Sequence, residues 1–212
     1  MELYNFFRSG TSHRLRIALN FKGLEYDYVP VDLRTEEHTG AAFKAMNPQG
    51  LVPAISIDGQ VLTQSPAIIE WLEERYPTPA LLPVDINDRA RVRAMAALVG
   101  CDVHPLNNRR VLEYLRNTLA CDENAVLRWC STWINDGFQA LETMLAADSE
   151  RVGYCFGDSP TLADVYLVPQ VESARRFNVD LDQFPIISSI DRACAELDAF
   201  QRAAPSEQPD AK

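Results

Sequence analysis

The pattern of apolar and polar positions changes its period several times within the first eighty residues. Short runs of alternating or continuous apolar residues predict strands, and runs with apolar residues at helical spacing predict helices. The predicted strands are 2–7, 25–31, 54–57 and 60–63, and the predicted helices are 12–22, 41–46 and 65–76. Because Asp58-Gly59 suits a type I′ turn, the last two strands are expected to form a hairpin. The element order is therefore β-α-β-α-β-β-α.

Beyond residue 87 the apolar pattern is helical throughout. It predicts four helices, the first of them bent at Pro105: 88–119, 123–147, 161–177 and 184–202. Three prolines from Pro77 to Pro83 interrupt any periodicity and indicate a linker. We therefore predict an α/β domain with thioredoxin-like element order at 1–80, a linker at 81–87 and an all-helical domain at 88–212. The polar tail from Pro205 is expected to be frayed.

Charge and composition narrow the function classes. The 212 residues carry a formal net charge of −10, which argues against binding to nucleic acid or an anionic membrane. A small anion is still possible, since it needs only a local cluster of arginines. Five cysteines without CxxC spacing are typical of reduced thiols in a cytoplasmic protein, and the three histidines do not form a metal-binding pattern.

The junction at Arg8–Leu19 is the most informative segment. It follows the first strand and runs directly into the first helix, with hydroxyls at Ser9, Thr11 and Ser12. Backbone amides converge at a helix N-terminus, so this segment predicts an anion site for a thiolate, a carboxylate or a phosphate. The absence of a GxSxG motif argues against a hydrolase built on Ser9 and His13.

Two further motifs have both a structural and a functional interpretation. Val52-Pro53 places a proline at the mouth of a central strand, where a cis bond would turn the Val52 amide and carbonyl towards an extended peptide; an ordinary trans proline is the alternative. Gln64-Ser65-Pro66 begins a helix whose free amides could hold a carboxylate, or it is simply a capped helix. His38 lies in a polar loop where a ligand contact is plausible.

Together these motifs resemble the zeta class of the glutathione transferase superfamily. The class signature Ser-Ser-Cys-x-(Trp/His)-Arg-Val-Arg-Ile-Ala-Leu corresponds to Ser9–Leu19, with Gly10 and Thr11 in place of the second serine and the cysteine. The match continues through 47–53, 64–74, 169–171 and 176–177 and covers nearly the whole chain. Loss of the cysteine removes any role that needs a protein thiol, while hydrogen bonding to a thiolate survives.

The resemblance implies a glutathione transferase fold, glutathione as cofactor and a cytoplasmic homodimer. Zeta-class enzymes isomerise cis double bonds by reversible addition of the glutathione thiolate. A bacterial branch that converts maleylpyruvate to fumarylpyruvate is most similar, at Thr11 and at 107–110. Maleylacetoacetate is the alternative substrate. A general glutathione-conjugating transferase and a non-catalytic thioredoxin-like binding module are the other functions considered.

The resemblance also implies roles for particular residues. Ser9 and Thr11 are expected to stabilise the thiolate, while three arginines hold the substrate carboxylates. The residues expected to act in catalysis are Ser9, Thr11, Arg8, Arg110 and Arg176. The residues expected to bind glutathione are Ser9, Gly10, Thr11, His38, Gln49, Val52, Pro53, Gln64, Ser65, Asp102, His104, Asn108 and Arg109. No metal site is expected.

Overall fold

The computed structural model describes residues 1–149 and 151–211 of the chain. Their contacts group them into two units. The first contains Met1–Leu81 together with the segment from Ala195 onwards, and the second contains Leu82–Cys194. The C-terminal segment, which the apolar pattern assigns to the helical domain, thus belongs by its contacts to the first unit.

Four short strands form the sheet of the first unit, in the order β2-β1-β3-β4. β1 runs parallel to β2 and antiparallel to β3, and β3 pairs with β4 in a hairpin. The elements are β1 Glu2–Asn5, α1 Gly10–Phe21, β2 Asp27–Pro30, α2 Ala41–Met46, β3 Ala54–Ile57, β4 Gln60–Thr63 and α3 Ser65–Arg75. This arrangement confirms the predicted thioredoxin-like fold.

Local sequence explains the predicted hairpin and the first helix. Asp58 and Gly59 both have positive φ, 52° and 76°, as a type I′ turn requires. Ser9 caps α1 by accepting a hydrogen bond from the Ser12 amide. Leu15 and Ile55 are fully buried in the core of this unit. The Phe6 amide also donates to the Ser12 hydroxyl, which ties the start of α1 to the residue that follows β1.

The second unit is helical, and its first predicted helix is interrupted. Its helices are α4 Ile86–Ala97, α5 Arg109–Asn117, α6 Glu123–Ala146, α7 Leu162–Arg176 and α8 Pro185–Ala195. A π-helical segment, Leu98–Val103, and a 3₁₀ turn, His104–Asn107, separate α4 from α5. The prediction of one bent helix over 88–119 is wrong, because Asn108 caps a new helix after Pro105.

The close approach of α6 to the π-helical segment depends on a glycine. A Cβ atom on Gly137 would lie 2.1 Å from Cγ2 of Val103, so no larger residue fits without a shift of the segment. The 24-residue α6 buries Ile134 and Phe138 on one face. Within the described ranges, no helix combines the length and the apolar character that crossing a membrane requires.

The described residues after α8, which end at Ala211, are ordered, although the pattern predicts a frayed tail. A short helix, α9 Asp198–Gln201, follows α8, so the predicted helix 184–202 is divided where the chain returns to the first unit. Ala203 and Gln208 are buried, and the Gln208 amide donates to the carbonyls of Arg202 and Ala204, each at 2.8 Å. The prediction of fraying is wrong because the Gln208 side chain, which lies in this tail, has hydrogen-bond partners within the fold.

A buried ion pair ties the end of α1 to the end of α3. The Lys22 ammonium, whose side chain is fully buried, lies 2.7 Å from Glu73 and donates to the carbonyls of Tyr76 and Pro79. Glu73 also accepts from the Leu81 amide. Removal of one partner leaves the other charge buried without its counterion.

We therefore expect Lys22→Met to lower the free energy of unfolding by about 3–5 kcal/mol. The matched control is Arg116→Met, which breaks the exposed pair with Glu123 and should cost less than about 1 kcal/mol. Urea unfolding followed by circular dichroism measures both variants. Equal, small changes in the two would contradict a stabilising role for the buried pair.

Candidate active site

A four-residue turn carries the chain from β1 into α1. The Ser9 amide donates to the Phe6 carbonyl at 3.1 Å, which closes the turn over Phe7 and Arg8. Arg8 is exposed, and its guanidinium carbon lies 5.9 Å from the centre of the Phe7 ring. It makes no ion pair within residues 1–149 and 151–211. The first turn of α1 contains no acidic residue, so this end of the helix favours an anion.

Two hydroxyls at this junction form a directed hydrogen-bond chain. Thr11 donates to the Val52 carbonyl at 2.9 Å, and the Ser9 and Thr11 hydroxyls lie 2.8 Å apart. A hydroxyl has one proton, and a carbonyl only accepts. With the Thr11 proton on Val52, the proton between the two hydroxyls must come from Ser9. Ser9 can therefore turn its proton towards an incoming anion without leaving a carbonyl unpaired.

The loop before β3 presents Val52 to the same junction. The Val52–Pro53 bond is cis, as considered from the sequence. The Val52 carbonyl faces Thr11, and the Val52 amide has no hydrogen-bond partner in the described part of the chain. The Val52 amide is thus available to bind an extended ligand.

Two neighbouring groups hold this loop in place. Asn47 donates from its side chain to the Leu51 carbonyl at 2.7 Å. Gly50 has φ +64°, and a Cβ atom there would lie 2.8 Å from the His38 carbonyl oxygen. Only glycine allows this approach. The structure thereby places the backbone of His38 against the loop that carries Val52.

A second anion-binding arrangement lies at the start of α3. Ser65 is only 3% exposed, and its buried hydroxyl has no hydrogen-bond partner among the described residues. Gln64 has a positive φ of 67°, and its side chain donates to the Gln49 side chain. Pro66 occupies the first turn, where its missing amide proton costs no helical hydrogen bond. A carboxylate at this terminus would satisfy the Ser65 hydroxyl.

His13 belongs to the core. It is 4% exposed, and burial together with the cations of Arg16 and Arg14 holds its pKa well below the usual value. The imidazole is therefore neutral at physiological pH. His13 therefore packs within the fold and does not act as a base beside Ser9.

The second unit carries the remaining predicted residues on adjoining segments. Asp102 lies in the π-helical segment and His104 opens the 3₁₀ turn that follows. The Asn108 side-chain oxygen accepts a hydrogen bond from the Arg110 amide and so caps α5. Arg109 pairs with Glu113 one turn further along the same helix. The Arg110 side chain is exposed and makes no ion pair within the described residues.

Arg176 closes α7 and lies near α6. Its guanidinium carbon is 4.8 Å from the centre of the Phe177 ring. Burial raises the pKa of Cys130 on α6 to about 11, while the charges of Arg176 and Arg116 act in the opposite direction. The adjacent Trp129 donates to the Leu106 carbonyl at 2.7 Å. One turn of α6 thus supports the segment before Arg110 and lies within electrostatic range of Arg176.

Four residues around the β1–α1 turn were not among the predicted site residues. Arg34 lies with its guanidinium carbon 5.7 and 5.8 Å from the rings of Phe6 and Phe7, but Asp32 neutralises its charge. Arg16 and Asp210 bind the backbone of the turn, and Tyr28 donates a hydrogen bond to Asp210. Arg16 stands between Leu15 and Ile17 in the apolar pattern of α1, and a charged residue at such a place could have indicated a structural role. No local pattern marks Asp210.

The first unit is thioredoxin-like, with a hydroxyl-capped first helix and a cis proline before its third strand, and a helical unit follows it in sequence. These features together define a class of glutathione-binding enzymes. The chain belongs to the glutathione S-transferase family. The profile of the glutathione S-transferase N-terminal domain matches residues 8–75, and that of the C-terminal domain matches residues 132–202.

Individual relatives are similar over the whole chain. A maleylpyruvate isomerase from Ralstonia sp is 67% identical over 210 residues, which is 99% of either chain. The holo structure of a maleylpyruvate isomerase, described as a bacterial zeta-class glutathione S-transferase, is 66% identical, covers 100% of both chains and has a TM-score of 0.99. A maleylacetoacetate isomerase from Methylobacterium extorquens AM1, solved with malonate and glutathione, is 36% identical, also covers 100% of both chains and has a TM-score of 0.96.

The low pKa of His13 predicts a pH-dependent stability. Below about pH 6.5 the unfolded chain binds a proton at this histidine and the folded chain does not. Stability should therefore fall with decreasing pH, by up to about 1.4 kcal/mol per pH unit from this group. Urea unfolding between pH 7 and 5.5, compared with His13→Gln, isolates its contribution, because all other groups are shared. Identical slopes in the two proteins would contradict a neutral, buried His13.

Proposed function

We propose that the protein is a glutathione-dependent cis–trans isomerase that converts maleylpyruvate to fumarylpyruvate. The observation that carries the proposal is the directed chain from Ser9 through Thr11 to Val52, at the positive end of α1. It provides a reorientable donor for a thiolate, in a chain that is 67% identical to a maleylpyruvate isomerase. Nothing in this chemistry requires a protein thiol, so Thr11 in place of cysteine is compatible with it.

The residues of the first unit fit glutathione. The orphaned Ser65 hydroxyl and the amides at the start of α3 suit the γ-glutamyl carboxylate, with Gln64 and Gln49 beside them. The Val52 amide, which has no partner among the described residues, suits a carbonyl of the extended tripeptide. His38, whose backbone lies against Gly50, is positioned near the other end of the same loop. When bound, glutathione supplies a thiolate that adds reversibly to the double bond and so allows rotation about it.

Within the pair of hydroxyls, Ser9 is the residue we assign to the sulfur. A thiol is only a few per cent ionised at neutral pH, so the protein has to favour the thiolate. Ser9 can donate to it at the cost of one bond to Thr11, whereas Thr11 would have to leave the Val52 carbonyl. Before the anion binds, Thr11 accepts from Ser9, and throughout it stays on Val52. A lowering of the thiol pKa by one unit needs about 1.4 kcal/mol, which one charge-assisted hydrogen bond can provide.

The arginines suit the two carboxylates of the substrate. Maleylpyruvate carries a carboxylate at each end of a conjugated cis system, and a planar guanidinium binds a carboxylate through two parallel hydrogen bonds. Arg8 and Arg110 are exposed and make no ion pair in the described ranges, so their charges are available. Arg176 is the third cation that we assign to the substrate. These groups hold the ends of the molecule while the bond between them rotates.

Maleylacetoacetate is the second candidate substrate. It shares the cis-enedioyl core, and a structural neighbour with a TM-score of 0.96 is a maleylacetoacetate isomerase. We prefer maleylpyruvate because it is the more compact dianion and Arg110 offers a cation for its second carboxylate. The similarity to the maleylpyruvate isomerase from Ralstonia sp supports the same choice.

We also propose that the protein works as a cytoplasmic homodimer. The five free cysteines suit a reducing compartment, and the dimer is what the family resemblance implies. His104, Asn108 and Arg109 are then expected to approach glutathione together with Asp102. Sedimentation at micromolar protein concentration tests the dimer, and a monomer at that concentration would contradict it.

The function is tested by the absorbance of maleylpyruvate in the presence of the protein, with and without glutathione, coupled to a fumarylpyruvate hydrolase. We expect the signal to decay only when glutathione is present. Parallel assays use maleylacetoacetate and chlorodinitrobenzene. A higher kcat/KM on maleylacetoacetate would reverse the substrate assignment, and conjugation without isomerisation would overturn the proposed function.

The assignment of the sulfur donor predicts an order of effects. Ser9→Ala should lower kcat/KM by about 100- to 1,000-fold, as loss of one donor to a reacting anion does elsewhere. Thr11→Val should cost less, because the Ser9 proton remains. Steady-state kinetics with saturating glutathione measures both, and thermal unfolding corrects for the lost cap at Ser9. A larger loss in Thr11→Val would contradict the assignment.

If the arginines bind the substrate, their removal should lower activity on maleylpyruvate without weakening the binding of glutathione. Arg110→Ala and Arg176→Ala should each lower kcat/KM for maleylpyruvate by about 100-fold, the equivalent of about 2.7 kcal/mol. The glutathione dissociation constant, measured by calorimetry, should change less than about twofold in both. Arg192→Ala, which removes an exposed arginine from α8, is the control and should change neither. Parallel losses of activity and glutathione affinity would show that the arginines serve the cofactor instead.

A further inference from the structure

The turn between β1 and α1 is held by Asp210, which lies 203 residues further along the chain. Asp210 accepts a hydrogen bond from the Phe7 amide at 3.1 Å. Its other carboxylate oxygen accepts from the Tyr28 hydroxyl on β2. Phe7 is the first of the two central residues of the turn, and Arg8 and Ser9 follow it. A single carboxylate thus links β2 to the turn that presents both site residues.

Arg16 binds the carbonyl of the same residue, Phe7. Its side chain donates to the Phe7 carbonyl at 2.9 Å, to the Asn5 side chain at 2.9 Å and to the Ala203 carbonyl at 3.0 Å. Burial lowers the pKa of Arg16 only to about 10, so the guanidinium remains charged at neutral pH. The amide and the carbonyl of Phe7 are therefore both held by side chains. The C-terminal segment supplies Asp210 for the amide, and its Ala203 carbonyl binds the Arg16 side chain that holds the carbonyl.

The C-terminal segment has the rigidity that this role requires. Ala203 is fully buried, and Gln208 is fixed by two hydrogen bonds to backbone carbonyls. Burial and the hydrogen bond to Asp210 raise the pKa of the Tyr28 phenol, so it stays a donor throughout the neutral range. Tyr28 in turn anchors the carboxylate on the sheet.

We propose that Asp210 is a positioning residue for the active site, which sets the orientation of the Phe6–Ser9 turn and thereby the places of the Ser9 hydroxyl and the Arg8 guanidinium. The proposal rests on the proposed function for the roles of Ser9 and Arg8. Its physical basis is the steep dependence of catalysis on geometry: a displacement of about 1 Å at a reacting group can cost about 100-fold in rate. Asp210 does not itself touch the substrate or the cofactor.

The first test measures the turn directly. Hydrogen exchange of the Phe7 amide, followed by mass spectrometry or NMR, should be at least about tenfold faster in Asp210→Ala than in the wild-type protein, since the amide loses its acceptor. Asp198→Ala, which removes a carboxylate paired with Arg202 elsewhere in the C-terminal segment, is the matched control and should leave this exchange unchanged. Unchanged exchange in Asp210→Ala would overturn the proposal.

The second test measures the consequence at the site. The pKa of the glutathione thiol in the complex, followed through the ultraviolet absorbance of the thiolate, should rise in Asp210→Ala and stay at the wild-type value in Asp198→Ala. Isomerase kcat should fall by about tenfold with less change in KM, whereas a loss of stability alone would not shift the thiol pKa. A wild-type thiol pKa in Asp210→Ala would contradict the positioning role.

Two further comparisons keep the outcome decisive. If Asp210→Ala does not fold, Tyr28→Phe removes one anchor of the carboxylate and should give smaller changes of the same sign in exchange and thiol pKa; no change would overturn the proposal. Asp210→Asn, which keeps an acceptor of the same size, should restore part of the exchange protection. If the wild-type protein does not isomerise maleylpyruvate, the proposed function fails, while the exchange of Phe7 still decides the role of Asp210.

Discussion

The turn from β1 into α1 contains backbone groups that the turn itself cannot pair, and buried backbone groups without partners destabilise a fold. The protein supplies partners from outside: the Arg16 guanidinium for the Phe7 carbonyl and the Asp210 carboxylate for the Phe7 amide. With the turn held on both sides, Ser9 has a fixed place as the cap of α1. The hydrogen-bond chain through Thr11 to Val52 starts from that place, so the candidate site depends on this constraint.

Much of the first unit could be predicted because its signals are local. The period of the apolar positions marks the strands and helices, and Asp58-Gly59 specifies the hairpin turn that the positive φ angles show. The proline after Val52 suggested a cis bond, and Ser65 with Pro66 suggested a helix terminus with free amides. The hairpin turn and the helix terminus are determined by neighbouring residues, so one sequence is enough to recognise them, whereas the local sequence left the bond before Pro53 open between cis and trans.

The differences from the prediction have tertiary causes. The π-helical segment before Pro105 packs against α6 at Gly137, a contact that no local pattern at 98–103 contains. The C-terminal segment reads as a polar tail, but its polar groups find partners at Phe7, Tyr28 and Arg16, far away in the sequence. The order of the Ser9 and Thr11 hydroxyls was also inaccessible, because only the position of the Val52 carbonyl determines which of them keeps a proton to donate.

We propose that the start of α1 stabilises a thiolate through Ser9. The most direct measurement is the pKa of the glutathione thiol bound to the wild-type protein, obtained by titrating the ultraviolet absorbance of the thiolate with pH. The account predicts a pKa at least about one unit below that of free glutathione, since the helix terminus and one charge-assisted hydrogen bond both favour the anion. A bound thiol that titrates like the free one would contradict it.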